Sequence, residues 1–222
     1  MITIILGKQY IKYELLYCKI RTFMLRLVSR REVDTMNKKT LALTQEQYKE
    51  IIDTIRTGFL SSRQNQRIAT ALVLEANLGL RISDILHLRL MDIVKDGDRY
   101  RLDITEQKTE KRRTFTVPTE IYNYIKQYCI DNEIKTSEVI FPISERAVQK
   151  HLKAVCDYLG YEGISTHSFR KFFATNIYRD SGFNIALVQT LLQHSSAAIT
   201  QRYLGIGSAE LEEALKNNIN LI

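Results

Sequence analysis

Residues 166–178 read THSFRKFFATNIY, and their spacing predicts an amphipathic helix, over about residues 167–181, on the surface of a helical domain. Side chains three and four positions apart share one face of a helix. The polar face carries His167 and Arg170, together with Lys171, and is expected to point toward solvent. The apolar face, which is expected to enter the core, consists of Phe169, Phe172, Phe173 and Ile177.

The flanking sequence also has helical periodicity, with one exception. Further helices are predicted behind Thr44, over residues 66–77 and 83–88, over 120–131, 145–158 and 185–193, and behind Ser196 and Ser208. Residues 100–117 instead alternate apolar and polar side chains, which is typical of a small antiparallel hairpin or meander. The expected fold class is therefore α+β, mainly helical with one small antiparallel sheet.

Several residues typical of helix caps occur where helices are expected to begin or end. Thr44 with Gln47 three positions later is a capping box. Gly79 is suited to end the second helix, because glycine adopts the left-handed conformation without strain. The other predicted N-caps are Ser83, Ser144 and Asn184.

The composition is that of an ordinary globular protein. The chain has 222 residues, of which 45% are hydrophobic and 26% are charged, and this excludes a disordered, collagenous or coiled-coil protein. The three cysteines, Cys18, Cys129 and Cys156, lie far apart. A disulfide scaffold or a cysteine-rich zinc site is therefore not expected, and a reducing compartment is.

The net charge of +7 is concentrated in two places. Residues 1–35 carry seven Lys and Arg against three Asp and Glu. A second basic cluster lies in the predicted sheet and suits a polyanion, although such clusters are also common on solvated surfaces. Its members are Arg99, Arg101, Lys108, Lys111, Arg112 and Arg113.

The N-terminal stretch contains apolar residues but predicts neither a membrane span nor a cleaved leader. Lys8, Lys12 and Glu14 interrupt it before a membrane-length apolar run develops. We expect residues 1–39 to be a basic extension that can form an amphipathic helix, and residues 40–222 to be one folded domain. Met36 is an alternative start.

The residues that can carry chemistry occur in a fixed order. His167 and Arg170 lie three positions apart and can hold one phosphate, although such a pair alone is usually surface decoration. Arg81 directly follows the glycine-terminated helix, and Asp84 is placed to orient it. His194 and Tyr203 follow nine positions apart.

This order resembles the catalytic domain of the tyrosine recombinases, the phage-integrase superfamily. The matching positions are Gly79-Leu80-Arg81 with Asp84, Lys108 in QKTEK, His167, Arg170, His194 and Tyr203. Lys111, Arg112 and Arg113 compete with Lys108 for the hairpin position. Gln193 and Phe169 stand where the family more often has glycine and leucine. His87 and His151 match no motif and are interpreted as ordinary helix residues.

The resemblance implies the chemistry. Tyr203 is the expected nucleophile, Lys108 the general acid, and His167 an aid to proton transfer. Arg81, Arg170 and His194 are expected to stabilise the phosphate, and Asp84 to support them. The covalent intermediate is a 3′-phosphotyrosine, and the reaction needs no ATP, metal or other cofactor.

The resemblance also implies partners. Double-stranded DNA is expected to contact Lys111, Arg112, Arg113 and Lys171. Four protomers are expected to assemble through a C-terminal helix containing Leu211, Ala214 and Leu215, which can alternatively pack on its own domain. No membrane partner is expected, and the expected location is the cytoplasm, at the nucleoid.

Three functions remain open at this point. The first is a site-specific recombinase that integrates, excises or inverts DNA. The second is an impaired or truncated relative that only binds DNA, because residues 1–39 are too short for the N-terminal core-binding domain usual in the family. The third is a type IB topoisomerase, which shares the chemistry but relaxes supercoils without a specific site.

Overall fold

The computed structural model describes residues 40–60, 62–108, 110, 112–206 and 216. The chain divides into two compact units, Met1–Lys38 and Lys39–Ile222, and all described residues belong to the second. The predicted N-terminal extension, Lys111 and the predicted C-terminal helix with Leu211, Ala214 and Leu215 lie outside the described residues.

Eight α-helices and three strands make up the part of the chain that is described. The helices are α1 (Gln45–Thr57), α2 (Gln66–Leu78), α3 (Ile82–Leu86), α4 (Thr119–Asp131), α5 (Glu145–Leu159), α6 (Thr166–Asp180), α7 (Ile185–Leu192) and α8 (Ala197–Leu204). The strands are β1 (Ile93–Asp96), β2 (Arg99–Thr105) and β3 (Arg112–Val117), and a 3₁₀ turn, Leu90–Asp92, precedes β1. The expected α+β fold with one small sheet is confirmed.

The sheet is an antiparallel meander in the order β1-β2-β3. Leu102 on the central strand pairs with Ile93 on one side and Phe115 on the other. Leu102 is fully buried and joins the sheet to the helical core. Glu106, Gln107 and Lys108 follow β2, and the backbone N–H of Gln107 donates to Asp84 on α3, which fixes this part of the turn to a helix.

Most of the predicted caps are confirmed. Thr44 and Gln47 form the capping box of α1, and Gly79 ends α2 in the left-handed conformation at φ 59°. Ser144 and Asn184 cap α5 and α7. Ser83 does not cap α3: the helix begins at Ile82, which places Ser83 inside it.

The core has two parts that meet at α6. Phe169 and Phe172 enter the main core between α1, α2, the sheet and α5. Phe173 and Ile177 instead pack against a smaller cluster formed with Val188 and Leu192. Helix α6 is therefore covered on more than one side.

The burial of Arg170 corrects the predicted orientation of α6. Only 3% of Arg170 is exposed, and Ala174 on the same face is fully buried. The prediction treated α6 as a surface helix, but α7 and the following segment cover the face that carries Arg170. The sequence pattern of one helix does not show how many neighbours pack against it.

Candidate active site

A buried carboxylate joins two arginines at the centre of the candidate site. Glu106, at the end of β2, is 1% exposed. Its Oε2 accepts from Arg81 Nη1 at 2.5 Å, and its Oε1 accepts from Arg113 Nη1 at 3.2 Å. Arg113 also donates from Nη2 to the Leu191 carbonyl at 2.5 Å. Glu106 therefore fixes Arg81 and links the hairpin to the end of α7.

Arg113 lies in the interior, which does not fit the DNA contact predicted for it. Its side chain is 3% exposed, and both terminal nitrogens donate to protein acceptors. Burial, followed by the nearby charge of Arg170, lowers the pKa of Arg113 to about 10. The guanidinium thus remains charged at neutral pH and serves as an internal crosslink.

Asp84 binds the hairpin turn and not Arg81. This corrects the predicted pairing of Asp84 with Arg81. The carboxylate is 3% exposed, and its Oδ1 accepts from the backbone N–H of Gln107 at 2.9 Å. The next residue is Lys108, whose side chain is exposed. Asp84 therefore fixes the backbone directly before the predicted general acid.

Arg170 on α6 has one terminal nitrogen occupied and one without a partner. Nη2 donates to the Leu192 carbonyl at 3.0 Å, whereas Nη1 is buried and makes no hydrogen bond. His167, one turn earlier, lies near Arg170, and its pKa is lowered by burial and by that positive charge. At neutral pH, the His167 ring is therefore a proton acceptor.

His194 and Tyr203 are brought together by the turn between α7 and α8. Gln193 ends α7 in the left-handed conformation at φ 54°, which turns His194 toward α8. The rings meet edge to face, with centroids 5.1 Å apart. The hydroxyl of Thr200 lies 3.1 Å from His194 Nδ1 and orients the imidazole. The Thr200 hydroxyl can also donate to the Ser196 carbonyl, at 3.4 Å. In the tautomer in which Thr200 instead donates to Nδ1, Nε2 carries the proton and can donate to a ligand.

The pKa values of this pair reflect burial beside arginines. Burial, followed by the charges of Arg170 and Arg81, lowers the pKa of His194 to about 4, so the ring is neutral at pH 7. Burial raises the pKa of Tyr203 to about 12, whereas the same two arginines favour the phenolate. The Tyr203 hydroxyl makes no hydrogen bond of normal geometry.

Lys171 lies under Tyr203. Its Nζ is 5.4 Å from the centroid of the tyrosine ring and donates to the Thr40 carbonyl at 2.6 Å. Lys171 therefore connects the first described residue of the domain to the candidate nucleophile. The DNA contact of Lys171 stays a prediction.

The amino-acid sequence matches one protein family along most of the chain. Residues 42–208 fit the model of the phage integrase family. The chain belongs to this family. The resemblance stated from Arg81, Lys108, His167, Arg170, His194 and Tyr203 is thereby confirmed.

The relatives in the phage integrase family are named integrases or recombinases, and this chain covers a different share of each of them. The probable integrase/recombinase YoeC of Bacillus subtilis (strain 168) is 34% identical over 164 residues, which cover 69% of this chain and 85% of YoeC. Tyrosine recombinase XerA of Pyrococcus furiosus is 28% identical over 191 residues, covering 80% of this chain and 62% of XerA. Tyrosine recombinase XerC of Caldanaerobacter subterraneus is also 28% identical, and the chain spans only 50% of it.

Solved structures show the same fold. The site-specific recombinase XerH bound to its difH substrate superposes with a TM-score of 0.59 at 20% identity, covering 74% of this chain and 50% of XerH. The catalytic domain of bacteriophage HP1 integrase gives a TM-score of 0.56 at 18% identity, covering 81% of this chain and 96% of that domain.

The integrase fold brings five of the six predicted catalytic residues toward one region. Arg81, His167, Arg170, His194 and Tyr203 are connected by the contacts and mutual electrostatic effects described above. Lys108 lies on the adjoining turn and is close enough to lower the pKa of His167. Within the described part of the chain, no group of three or more His, Cys, Asp or Glu side chains is arranged to hold a metal ion.

One predicted DNA contact, Arg112, lies on the surface of the hairpin. Arg112 is exposed, and its guanidinium binds both oxygens of Asp103, at 2.8 and 2.5 Å. Lys111 lies outside the described residues. The hairpin thus retains basic side chains beside the site, although Arg112 would have to exchange Asp103 for phosphate.

Sequence reasoning missed Glu106, Thr200 and Glu75. Glu106 stands among the basic residues of the hairpin, where it resembles ordinary surface charge compensation. Thr200 occupies a helix interior without a motif. Glu75 offered the clearest signal, because it is a carboxylate within an otherwise apolar stretch, ALVLEANL, that ends immediately before Gly79.

Proposed function

We propose that this protein is a tyrosine-type site-specific recombinase that cuts and rejoins double-stranded DNA through a 3′-phosphotyrosine intermediate. The reaction integrates, excises or inverts a DNA element in the cytoplasm, at the nucleoid. Its relatives are named integrases and recombinases, and the XerH structure contains its DNA substrate. The chain spans only part of several relatives, so the activity is inferred from the site itself.

One observation carries the proposal: two buried polar groups of the site, Arg170 Nη1 and the Tyr203 hydroxyl, make no hydrogen bond of normal geometry. The two residues are near each other, and Arg170 favours the Tyr203 phenolate through its charge and a side-chain contact. A buried polar group without a partner costs about 1–3 kcal/mol, so native proteins rarely retain one without a reason. A phosphodiester between them would supply oxygens to the arginine and an electrophilic phosphorus to the tyrosine.

The environment of Tyr203 suits a nucleophile that is activated only with its substrate. With a pKa of about 12, forming the Tyr203 phenolate at pH 7 costs roughly 7 kcal/mol. The hydroxyl therefore keeps its proton in the empty site. In the complex, neutral His167 is suited to accept that proton as the oxygen of Tyr203 bonds to phosphorus.

The rest of the site stabilises the pentavalent transition state. Arg81 and Arg170 neutralise charge on the non-bridging oxygens, and His194 Nε2 donates to one of them. Removing one such donor typically lowers the rate by about 10²–10³. Lys108 protonates the departing 5′ oxygen, and reversal of these steps joins the DNA to a new 5′ end without ATP.

We further propose that Lys111 and Arg112 contact the DNA backbone and that the C-terminal helix behind Ser208 docks on a neighbouring protomer to form a tetramer on DNA. Together, the DNA contacts and the contacts between protomers would hold two DNA duplexes side by side for strand exchange. Phosphate contacts make affinity fall with salt, so the slope of log affinity against log salt counts them.

The test is covalent capture in cells that carry the native DNA element. The protein is expressed, the cells are denatured rapidly, and the DNA attached to the protein is recovered and sequenced. Tyr203→Phe removes the nucleophile and should abolish the adducts without loss of DNA binding. The matched control is Tyr158→Phe, which removes an exposed tyrosine hydroxyl on α5, outside the site.

The pattern of adducts distinguishes the open functions. Adducts at one or two loci that disappear only in Tyr203→Phe support the recombinase. Adducts scattered without sequence preference would indicate a topoisomerase. Retained DNA binding with no adducts in the wild type would indicate a DNA-binding relative, and adducts in Tyr203→Phe would refute the assignment of the nucleophile.

A further inference from the structure

Glu75 is a buried acid at the site that the chemistry above leaves without a role. It lies on α2 and is fully buried. Among the described residues neither carboxyl oxygen makes a hydrogen bond of normal geometry, although the backbone N–H of Ile82 is close enough to favour the carboxylate. A phosphate does not explain this group, since a carboxylate repels an anion. Its position therefore requires a separate reason.

The C-terminal turn of α2 is packed tightly against α6 beside Arg170. A Cβ atom at Gly79, one turn after Glu75, would lie 2.3 Å from Phe173 Cδ1. Glu75 therefore lies on the helix that packs against α6, the helix that carries Arg170. The two buried groups influence each other: Arg170 favours the ionised form of Glu75, and Glu75 favours the charged form of Arg170.

The charged and polar groups around Glu75 come from four elements. Arg170 on α6 and the backbone N–H of Ile82 on α3 favour the carboxylate, whereas Glu145 on α5 disfavours it. On α8, an ionised Glu75 disfavours the Tyr203 phenolate. Burial is the largest influence, and it raises the pKa of Glu75 well above its usual value.

We propose that Glu75 is a positioning residue that acts through Arg170, leaving the guanidinium free for phosphate when its carboxyl is protonated and drawing it away when ionised. This inference rests on the proposed function for its biological meaning. A bound phosphodiester and an ionised Glu75 then compete for one arginine, so anion binding is coupled to uptake of a proton at Glu75.

Ionisation of Glu75 also affects Tyr203, and it opposes nucleophile formation just as it opposes phosphate binding. Ionised Glu75 would place a negative charge near the oxygen that must become a phenolate and would disfavour attack. Protonated Glu75 removes that charge while the arginines continue to favour the phenolate. One proton on one buried acid thus favours both phosphate binding and nucleophile formation.

A binding experiment tests the coupling without DNA. Inorganic sulfate is the probe, because it is a tetrahedral dianion whose own charge stays constant between pH 5 and 10. Its affinity is measured over that range by calorimetry for the wild type, Glu75→Gln and Arg170→Gln. Arg170→Gln should lose the site and identifies sulfate bound elsewhere. Glu120→Gln, an exposed acid in the first turn of α4, is the matched control.

The expected difference lies in the pH dependence. Above the pKa of Glu75, wild-type affinity should fall by up to about tenfold per pH unit relative to Glu75→Gln, which cannot ionise. Titration of other groups is common to both proteins and cancels in the ratio. The Glu120→Gln protein should follow the wild type. A ratio that stays constant from pH 5 to 10 overturns the proposal.

A second measurement follows the carboxyl directly. Protein labelled with ¹³C at glutamate carboxyl groups is titrated by NMR, and the Glu75 signal is assigned by its loss in Glu75→Gln. Its pKa should be raised and should rise further with sulfate. An ordinary pKa near 4.5 overturns the proposal. Glu75→Leu, an apolar residue of similar size, replaces Glu75→Gln if the latter does not fold.

The outcome is independent of the covalent capture experiment. Coupling without adducts would leave the role of Glu75 intact in a protein that binds phosphate but does not cut DNA. Adducts without coupling would establish the recombinase and remove Glu75 from its mechanism. If both succeed, cleavage of a nicked duplex carrying the captured sequence should lose rate at high pH in the wild type and less in Glu75→Gln.

Discussion

At the scale of single residues, Glu106 is expected to have a large effect on stability. It is the carboxylate partner of both Arg81 and buried Arg113. Glu106→Gln leaves two guanidinium groups with a neutral amide, and loss of one partner from a buried ion pair typically costs 3–5 kcal/mol. We expect the free energy of unfolding to fall by about 3 kcal/mol, measured by urea denaturation.

The control for this prediction is an ion pair on the surface. Glu138 lies 3.8 Å from Lys135, and both side chains are largely exposed. Glu138→Gln should change stability by less than about 0.5 kcal/mol, because solvent screens exposed pairs. Equal effects of the two substitutions would mean that the Glu106 cluster contributes no more than surface charge.

The same residues show where sequence reasoning succeeds at this scale. Arg81, His167, Arg170, His194 and Tyr203 were found because their order along the chain is distinctive. The partners that fix them were missed because pairing across the fold leaves no local pattern: Glu106 is 7 positions from Arg113 but 25 from Arg81. For the same reason, Arg113 was assigned to the surface.

At the scale of elements, the close packing of α2 on α6 decides where Arg81 and Arg170 lie relative to each other. Gly79 permits this contact in two ways, through its left-handed conformation and its missing Cβ. Gly79→Ala should therefore destabilise the protein by about 1 kcal/mol for backbone strain and by a further 1–3 kcal/mol for overpacking against Phe173. Thermal or urea unfolding measures the sum.

Gly97 separates the two contributions. It has a similar φ of 63°, in the turn between β1 and β2, but nothing lies within 4 Å of the Cβ it lacks. Gly97→Ala should thus cost only the backbone strain, about 1 kcal/mol. If Gly79→Ala were no worse than Gly97→Ala, the contact with Phe173 would not be tight in solution.

The elements were predicted well where they carry their own signals. Capping residues and helical periodicity located α1, α2, α5 and α7, because those signals act within a few residues. Strand β1 was missed because Ile93–Asp96 is short and has one buried side chain, so its stability comes from pairing with β2. The buried polar face of α6 likewise depends on α7 and α8, which its own sequence does not reveal.

At the scale of the whole molecule, the site places neutral histidines among arginines, and this links folding to pH. The pKa of His194 is lowered from 6.5 to about 4 in the folded protein, and burial also lowers those of His167 and His151. At these histidines the unfolded chain therefore binds more protons than the folded chain between about pH 4 and 6.5. Their contribution to stability should rise with pH across this window and be fully present above it, whereas the raised pKa of Glu75 contributes with the opposite sign above about pH 4.5.

His194→Asn isolates one part of this dependence. The substitution removes the titrating ring and some packing against Tyr203, so the variant should be less stable than the wild type at pH 8. As the pH falls from 6.5 toward 4, only the wild type carries the cost of keeping His194 neutral, and the difference between the two proteins should shrink. Urea unfolding at both pH values measures it, with pH 8 as the internal reference for lost packing. A difference that stays constant would mean that His194 titrates alike in the folded and unfolded chains, and a difference that grows in acid would mean that the folded site stabilises the imidazolium.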